Sequence, residues 1–289
     1  MDLTPQFYEL IKKASTDLAP DVEKALQEAL EREEEGGSAK NVFASILENV
    51  RAAREAGTPI CQDTGTLIFY IDHPHSARSD ALKEMAEAAA VQATREYILR
   101  PNAVDPVTGK NSGNNIGRNV PYFHFHQWDE DHIRVRLMLK GGGSENVGIQ
   151  YKLPDASLGA GRDLMGVRKL VVDAVTRAQG FGCAPGIIGV GIGGDRITSF
   201  MLSKELFFRR LGSQNEDPAL NDLENELYEN LNKLGIGPMG FGGKTTVLGV
   251  YIGAQHRHPA TYFVSISYMC WAYRRKMMTV KGSEVTYAD

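Results

Sequence analysis

Three cysteines, at positions 61, 183 and 270, are the only thiols in the 289-residue sequence. They are too few and too scattered for a disulfide framework, and three cannot all pair. Each sits among chain breakers or beside an aromatic: Pro59-Ile60-Cys61-Gln62-Asp63-Thr64-Gly65, Gly182-Cys183-Ala184-Pro185-Gly186 and Tyr268-Met269-Cys270-Trp271. No C-x-x-C pair occurs, which disfavours an ordinary structural zinc site. Two readings stay open from the residues alone. The thiols are either small buried hydrophobes or ligands of a metal centre assembled from distant loops. Three thiolates on a [4Fe–4S] cube leave one iron without a protein ligand, and an open coordination site turns a metal centre from an electron carrier into a Lewis acid.

Glycine is the second source of chemistry. There are 30, where average usage gives about 20. Gly189-Val-Gly-Ile-Gly-Gly194 fits the G-x-G-x-x-G dinucleotide pattern. An acid is due about 20 residues on, at the end of a second strand, but Glu216 and Asp217 introduce another helix instead. Gly240-Phe-Gly-Gly-Lys-Thr245 imitates a phosphate loop, yet proline stands at 238 where that motif needs its first glycine. Both segments remain places where backbone N–H groups can meet an anion. Arg100, in Leu99-Arg-Pro-Asn102, and the pair His256 and His258 complete the polar candidates.

The elements that must position these residues follow from periodicity and breakers. Thr4-Pro5 opens a helix carrying Leu10, Ile11, Ala14 and Leu18. Further helices are predicted over about 20–35, 41–56 and 79–99, then 161–179, 196–211 and 218–234. Strands are predicted at 66–71, 133–139, 246–252 and 262–268. Residues 100–121, with three prolines and three glycines, read as loop. The expectation is a mixed α/β chain: a helical N-terminal portion over 1–57 plus a small mixed sheet flanked by helices, with cluster-binding loops, and no linker that divides 1–289.

Composition excludes other classes. Hydrophobic residues are 42% and charged residues 24%, so the chain is not disordered. A net charge of −4 argues against a nucleic-acid or anionic-membrane surface. The first residues mix acid and base without a long apolar run, unlike a secretory signal. The glycine-broken run 178–194 is too short for a membrane span. These features predict a cytoplasmic protein with reduced thiols.

Taken together, the segments resemble the iron–sulfur hydro-lyases, the class I fumarate hydratases and L-tartrate dehydratases, and within them the α subunit or N-terminal domain. The matching stretches are Ile60-Cys-Gln-Asp-Thr-Gly-Thr66, Leu99-Arg-Pro-Asn102, Lys140-Gly-Gly-Gly-Ser-Glu-Asn146, Cys183-Ala-Pro-Gly with Gly189 to Gly194, Gly235-Ile-Gly with Gly242-Gly-Lys-Thr-Thr-Val-Leu248, and His258-Pro-Ala with Cys270-Trp-Ala. Six stretches in the family's order cover roughly residues 40–275. The resemblance implies that Cys61, Cys183 and Cys270 hold a [4Fe–4S] cluster with one open iron. It places Gln62 and Asp63 at the substrate and gives Arg100 a substrate carboxylate. Gly142 or Gly143 would donate a backbone N–H, and His258 would sit near the substrate hydroxyl, so that Asp63 and His258 are the catalytic candidates. It implies reversible hydration of fumarate to L-malate, as in the tricarboxylic acid cycle, with tartrate dehydration as the alternative. It also implies an oligomer and a β-type subunit or C-terminal domain that supplies the second carboxylate clamp and the carbon base. A reading from another class, a nucleotide-binding oxidoreductase, rests on Gly189 to Gly194.

Overall fold

The computed structural model describes residues 2–289, which form two compact units. The chain order is α1 (Thr4–Thr16), α2 (Pro20–Arg32), α3 (Ser38–Ala56), β1 (Thr66–Pro74), α4 (Ser79–Arg95), β2 (Tyr122–Trp128), β3 (Ile133–Lys140) and α5 (Gly142–Asn146). It continues through β4 (Ile149–Lys152), α6 (Leu164–Ala178), β5 (Gly186–Ile192), α7 (Arg196–Glu205), α8 (Pro218–Asn232), β6 (Val247–Ala254), β7 (Phe263–Met269), β8 (Arg275–Lys281) and β9 (Glu284–Ala288). Among the described residues no helix is long and apolar enough to cross a membrane.

The first unit comprises residues up to Pro20, Glu48–Gly142 and Ala272–Asp289. Its sheet has the order β2-β1-β3-β8-β9, parallel only between β1 and β2. Strand alternation decides its core. Leu67, Phe69 and Ile71 of β1 and Val135, Leu137 and Leu139 of β3 point to one face. There they meet Phe7, Leu10, Ile11 and Ala14 of α1 and the alanine stripe Ala86, Ala89, Ala90 and Ala93 of α4. Small residues on α4 let it lie close to α1, which itself packs on β3 and β8. Phe69 anchors the layer, edge-on to Phe7 at 6.0 Å and stacked on Phe123 at 5.1 Å.

The second unit comprises Asp21–Leu47 and Gly143–Trp271. Its sheet has the order β4-β7-β5-β6, with β5 and β6 parallel and β7 antiparallel to its neighbours. The expected mixed α/β class holds, with two sheets rather than one. On one face Ile188, Val190 and Ile192 of β5 join Val167, Leu170 and Val171 of α6 and Leu223, Leu227 and Leu231 of α8.

The other face explains the glycine-rich motif. A Cβ on Gly189 would lie 2.0 Å from the Ser203 carbonyl oxygen, and one on Gly191 2.1 Å from that of Ser199. These glycines let the backbone of α7 pack directly on β5. The α7 N-terminus is closed by Asp195, whose carboxylate accepts from the N–H groups of Ile197 and Thr198. The place a pyrophosphate would take thus holds a side-chain carboxylate, and the motif is accounted for by packing. Gly191→Ala is expected to lower the unfolding free energy by about 3 kcal/mol. A urea melt checks it; an unchanged midpoint contradicts the backbone contact.

The phosphate-loop look-alike has a similar outcome. The buried Glu33 carboxylate accepts from the N–H of Lys244 at 2.9 and 3.0 Å and from Thr245 at 3.0 Å. The predicted anion nest is real, and its anion is part of the chain.

Candidate active site

The loop between α3 and β1 carries Cys61, Gln62 and Asp63. Its entry is pinned by Ile60, whose N–H donates to the Ser15 carbonyl at 3.0 Å and whose carbonyl accepts from the Asn49 amide at 2.8 Å. Its exit is Gly65, at φ +80°, where a Cβ would sit 2.8 Å from the Lys140 nitrogen. Only glycine takes that backbone angle and that approach to β3 without strain. Asp63 is therefore delivered next to the end of β3. Its Oδ1 accepts from Gly65 N–H at 3.0 Å and its Oδ2 from Gly142 N–H at 2.7 Å. Two backbone donors hold the carboxylate in one orientation.

Arg100 is held beside this loop by its main chain. Its N–H donates to Thr64 Oγ1 at 3.0 Å, and Asn102 reaches the Gly65 carbonyl at 3.1 Å. Asn115 locks the segment from beneath. Its amide donates to Thr94 Oγ1 and to the Arg100 carbonyl, both at 2.9 Å, and its oxygen accepts from Asn102 N–H at 2.7 Å. The Arg100 side chain is exposed and lines a cavity of about 680 Å³ with Cys61, Gln62, Thr64 and Tyr97. The structure thus brings Cys61, Gln62 and Arg100 to one cavity, with Asp63 between Gln62 and Thr64 in the same loop. The Gly142 N–H, a candidate substrate donor, is given to Asp63 instead.

In the second unit, strand pairing brings Cys183 and Cys270 to one end of the sheet. Ile187 at the start of β5 pairs with Met269 at the end of β7, so the residues just outside that pair are neighbours. The Trp271 N–H donates to the Cys183 carbonyl at 3.2 Å. Cys183 has φ +57°, unusual outside glycine, and Cys270 is buried. The ring of Tyr268 fills the space against Gly182 and Gly186. Burial, and after it the adjoining Cys270 and Cys183, push its phenol above the usual tyrosine range. Gly143 lies in the same unit, and a Cβ there would stand 4.0 Å from Cys183 Sγ.

His258 is placed elsewhere. It is exposed in the turn before β7, its Nδ1 accepting from Ala260 N–H at 3.1 Å. Cys270 follows the far end of β7, a strand of seven residues, which spans about 20 Å. Twelve residues of largely extended chain thus separate the two residues. The structure does not bring His258 to the two thiols of its own unit.

The residues that sequence reading passed over are Thr64, Asn102 and Asn115, which position Arg100. The cluster of asparagines between 111 and 119 was the available signal for Asn115.

Comparisons with known proteins bear on this arrangement. A Geobacillus stearothermophilus protein provisionally named a class I fumarate hydratase is 50% identical over 276 residues, 94% of this chain and 54% of the relative. A Methanocaldococcus jannaschii protein provisionally named the alpha subunit of L(+)-tartrate dehydratase is 34% identical, over 97% of this chain and 98% of its own. The Escherichia coli L(+)-tartrate dehydratase subunit alpha is 32% identical, over 96% and 90% respectively. The chain spans about half the length of the first of these relatives. The sequence model of the fumarate hydratase (Fumerase) family matches residues 4–279, so nearly every element described above falls inside one pattern, and the chain belongs to that family.

Proposed function

We propose that this chain is the α-type part of a hydro-lyase that interconverts fumarate and L-malate, working with a β-type subunit or domain. Family membership and the identity to the Geobacillus protein support the reaction class. The observation that carries the reading is the loop that presents Cys61, Gln62 and a doubly held Asp63 beside the exposed Arg100. Coverage of the two tartrate dehydratase α subunits supports the need for a partner and favours, as a second reading, L-tartrate as substrate.

The donor chemistry fits an iron–sulfur cluster. Among the described residues none of the three cysteines is in a disulfide, and two of them meet at one end of a sheet. Among the described residues no three His, Cys, Asp or Glu side chains gather as a site for a single metal ion. Cys61, Cys183 and Cys270 would hold the [4Fe–4S] cluster. When bound, its open iron supplies a Lewis acid for the departing hydroxyl.

The chain's own residues do the rest. Dehydrating malate removes a weakly acidic C–H next to one carboxylate and expels hydroxide from the neighbouring carbon. Arg100 binds a substrate carboxylate as a bidentate fork, which localises charge where the aci-carboxylate develops. Gln62 adds an amide on the same cavity. Asp63, unable to rotate because both oxygens are held, orients the hydroxyl and takes or returns its proton. Gly143 is the remaining candidate for a backbone donor. His258 receives no proton step at the thiols' end of its unit. The carbon base and the second half of the clamp are assigned to the partner.

Arg100→Lys is the test. It keeps the charge but loses the fork, so kcat/KM is expected to fall at least about tenfold with cluster content unchanged. Unchanged kinetics in a cluster-replete enzyme return Arg100 to the surface. Parallel assays with malate and L-tartrate separate the two substrate readings.

A further inference from the structure

The end of α4 is a turn that favours glycine and holds tyrosine. Tyr97 N–H donates to the Thr94 carbonyl at 3.2 Å, and Ile98 N–H donates to the Ala93 carbonyl at 2.9 Å. This pair of bonds is the Schellman ending, whose left-handed residue is usually glycine and sometimes asparagine. Tyr97 takes that place with φ +61°. A Cβ at this angle crowds the following carbonyl, and a bulky side chain there is an outlier. Packing does not offset the strain. The Tyr97 side chain is 86% exposed, while Ile98 next to it is buried and makes the apolar contact such turns need. Strain kept at an exposed position points to a use for the side chain outside the fold.

Its position indicates the use. Tyr97 lines the cavity that also holds Arg100, Cys61 and Gln62. The loop that follows leaves this cavity at Pro101 and returns to it at Gly113. It is closed by the bridge between Val104 and Asn111, and at its tip the Asp105 carboxylate accepts from the N–H groups of Val107 and Thr108 at 3.0 and 2.7 Å. The loop so held presents Val107 at 91% exposure and Val104 at 54%. A ring this far out in solvent suits burial in a protein surface, where tyrosine is a favoured anchor. Length supplies the occupant. The match covers 94% of this chain but 54% of the Geobacillus relative, which leaves a body of comparable length for the partner's part.

We propose that Tyr97, at the rim of the Arg100 cavity and supported by Val104 and Val107, is the anchor through which this chain binds its β-type partner. The proposal rests on the α-type reading of the chain and names the surface which that reading needs. Burying the ring in the partner gives the strained turn its reason: the fold keeps a residue that weakens a helix end because the complex gains from it.

The test takes two readings on the full cluster-loaded chain, kept anaerobic: its melting temperature alone, and its equilibrium affinity for the β-type partner supplied as a separate chain. Two variants are measured. Tyr97→Gly and Tyr97→Asn both relieve the left-handed angle and both remove the ring; asparagine does so without the added freedom of glycine. Each is expected to melt about 2 °C above the parent. Each is also expected to bind the partner at least about thirtyfold more weakly, the scale of a lost interface anchor. A gain in stability paired with a loss of binding is the signature of the proposal, since a merely structural tyrosine would give the first without the second. Parental affinity in both variants overturns the anchor; parental affinity with a raised KM for malate gives the ring to the substrate instead. Melting no higher than the parent overturns the strain on which the inference stands. A parent chain that neither binds a β-type partner nor gains turnover from it refutes the α-type reading itself, before any variant is considered.

Discussion

Replacing Cys270 by serine is expected to abolish both cluster assembly and turnover, leaving a protein that still folds. The argument starts from position. Cys270 directly follows β7 and is buried at the sheet end where β5 begins, next to Cys183. Serine keeps the volume nearly constant, so the packing cost stays small. It does not keep the chemistry. A hydroxyl is far less acidic than a thiol and a harder donor, so it does not replace a thiolate on iron. Iron and acid-labile sulfide are therefore expected to fall to background after anaerobic reconstitution, with the thermal transition close to that of the parent. The same holds for Cys61→Ser and Cys183→Ser. Full retention of iron and sulfide in any one of them removes that cysteine from the ligand set.

The second large effect concerns completeness. A dicarboxylate hydro-lyase needs an acceptor for hydroxide, clamps for the carboxylates and a base for the carbon-bound proton. The residues proposed for the site are the three thiols, Asp63, Gln62 and Arg100. None of them is an evident carbon base: in the proposed reading Asp63 serves the hydroxyl, and His258 lies before β7, a strand away from Cys270. The cluster-loaded chain alone is expected to turn over malate at less than about 10⁻² of the rate seen after adding its β-type partner, since loss of a general base costs about 10²–10⁴-fold. Steady-state assays with and without the partner check this. Comparable rates in both would place the base inside the chain and bring its remaining acids and histidines back into question.

Some of this was legible in the sequence, for identifiable reasons. The helices α1, α6 and α8 follow from apolar spacing and from Pro and Asp at their starts, signals carried within a few residues. β3 follows from its clean alternation. β5 did not read as a strand, because Gly189 and Gly191 have no strand preference of their own. Their reason for being there is α7, whose carbonyls occupy the space of their side chains. β2 also escaped: it is a largely exposed strand of His, Phe and Gln, with little apolar contrast between its faces. The predicted helix over 196–211 ends at Glu205 and finishes as a short tight turn at Leu206–Phe208. The division into two sheets rests on pairings between residues far apart in sequence, such as β3 with β8, which no local pattern encodes.

The site divides the same way. The contiguous loop from Cys61 to Gly65 was readable because its residues act where they stand. The fixing of Asp63 by Gly142, 79 residues away, was not. The expectation for His258 came from the resemblance alone; within its own unit a strand separates it from Cys270.

We propose that this chain is the cluster-bearing, α-type part of a fumarate-hydrating enzyme. The most direct test is the anaerobic rate of malate formation from fumarate by the chain reconstituted with iron, sulfide and its β-type partner, before and after removal of the cluster by oxidation and chelation. The account predicts turnover in the ordinary enzyme range, on the order of 1–10³ s⁻¹, lost with the cluster and regained on reconstitution. Turnover that survives complete removal of iron and sulfide, or its absence in the fully loaded complex, would contradict it.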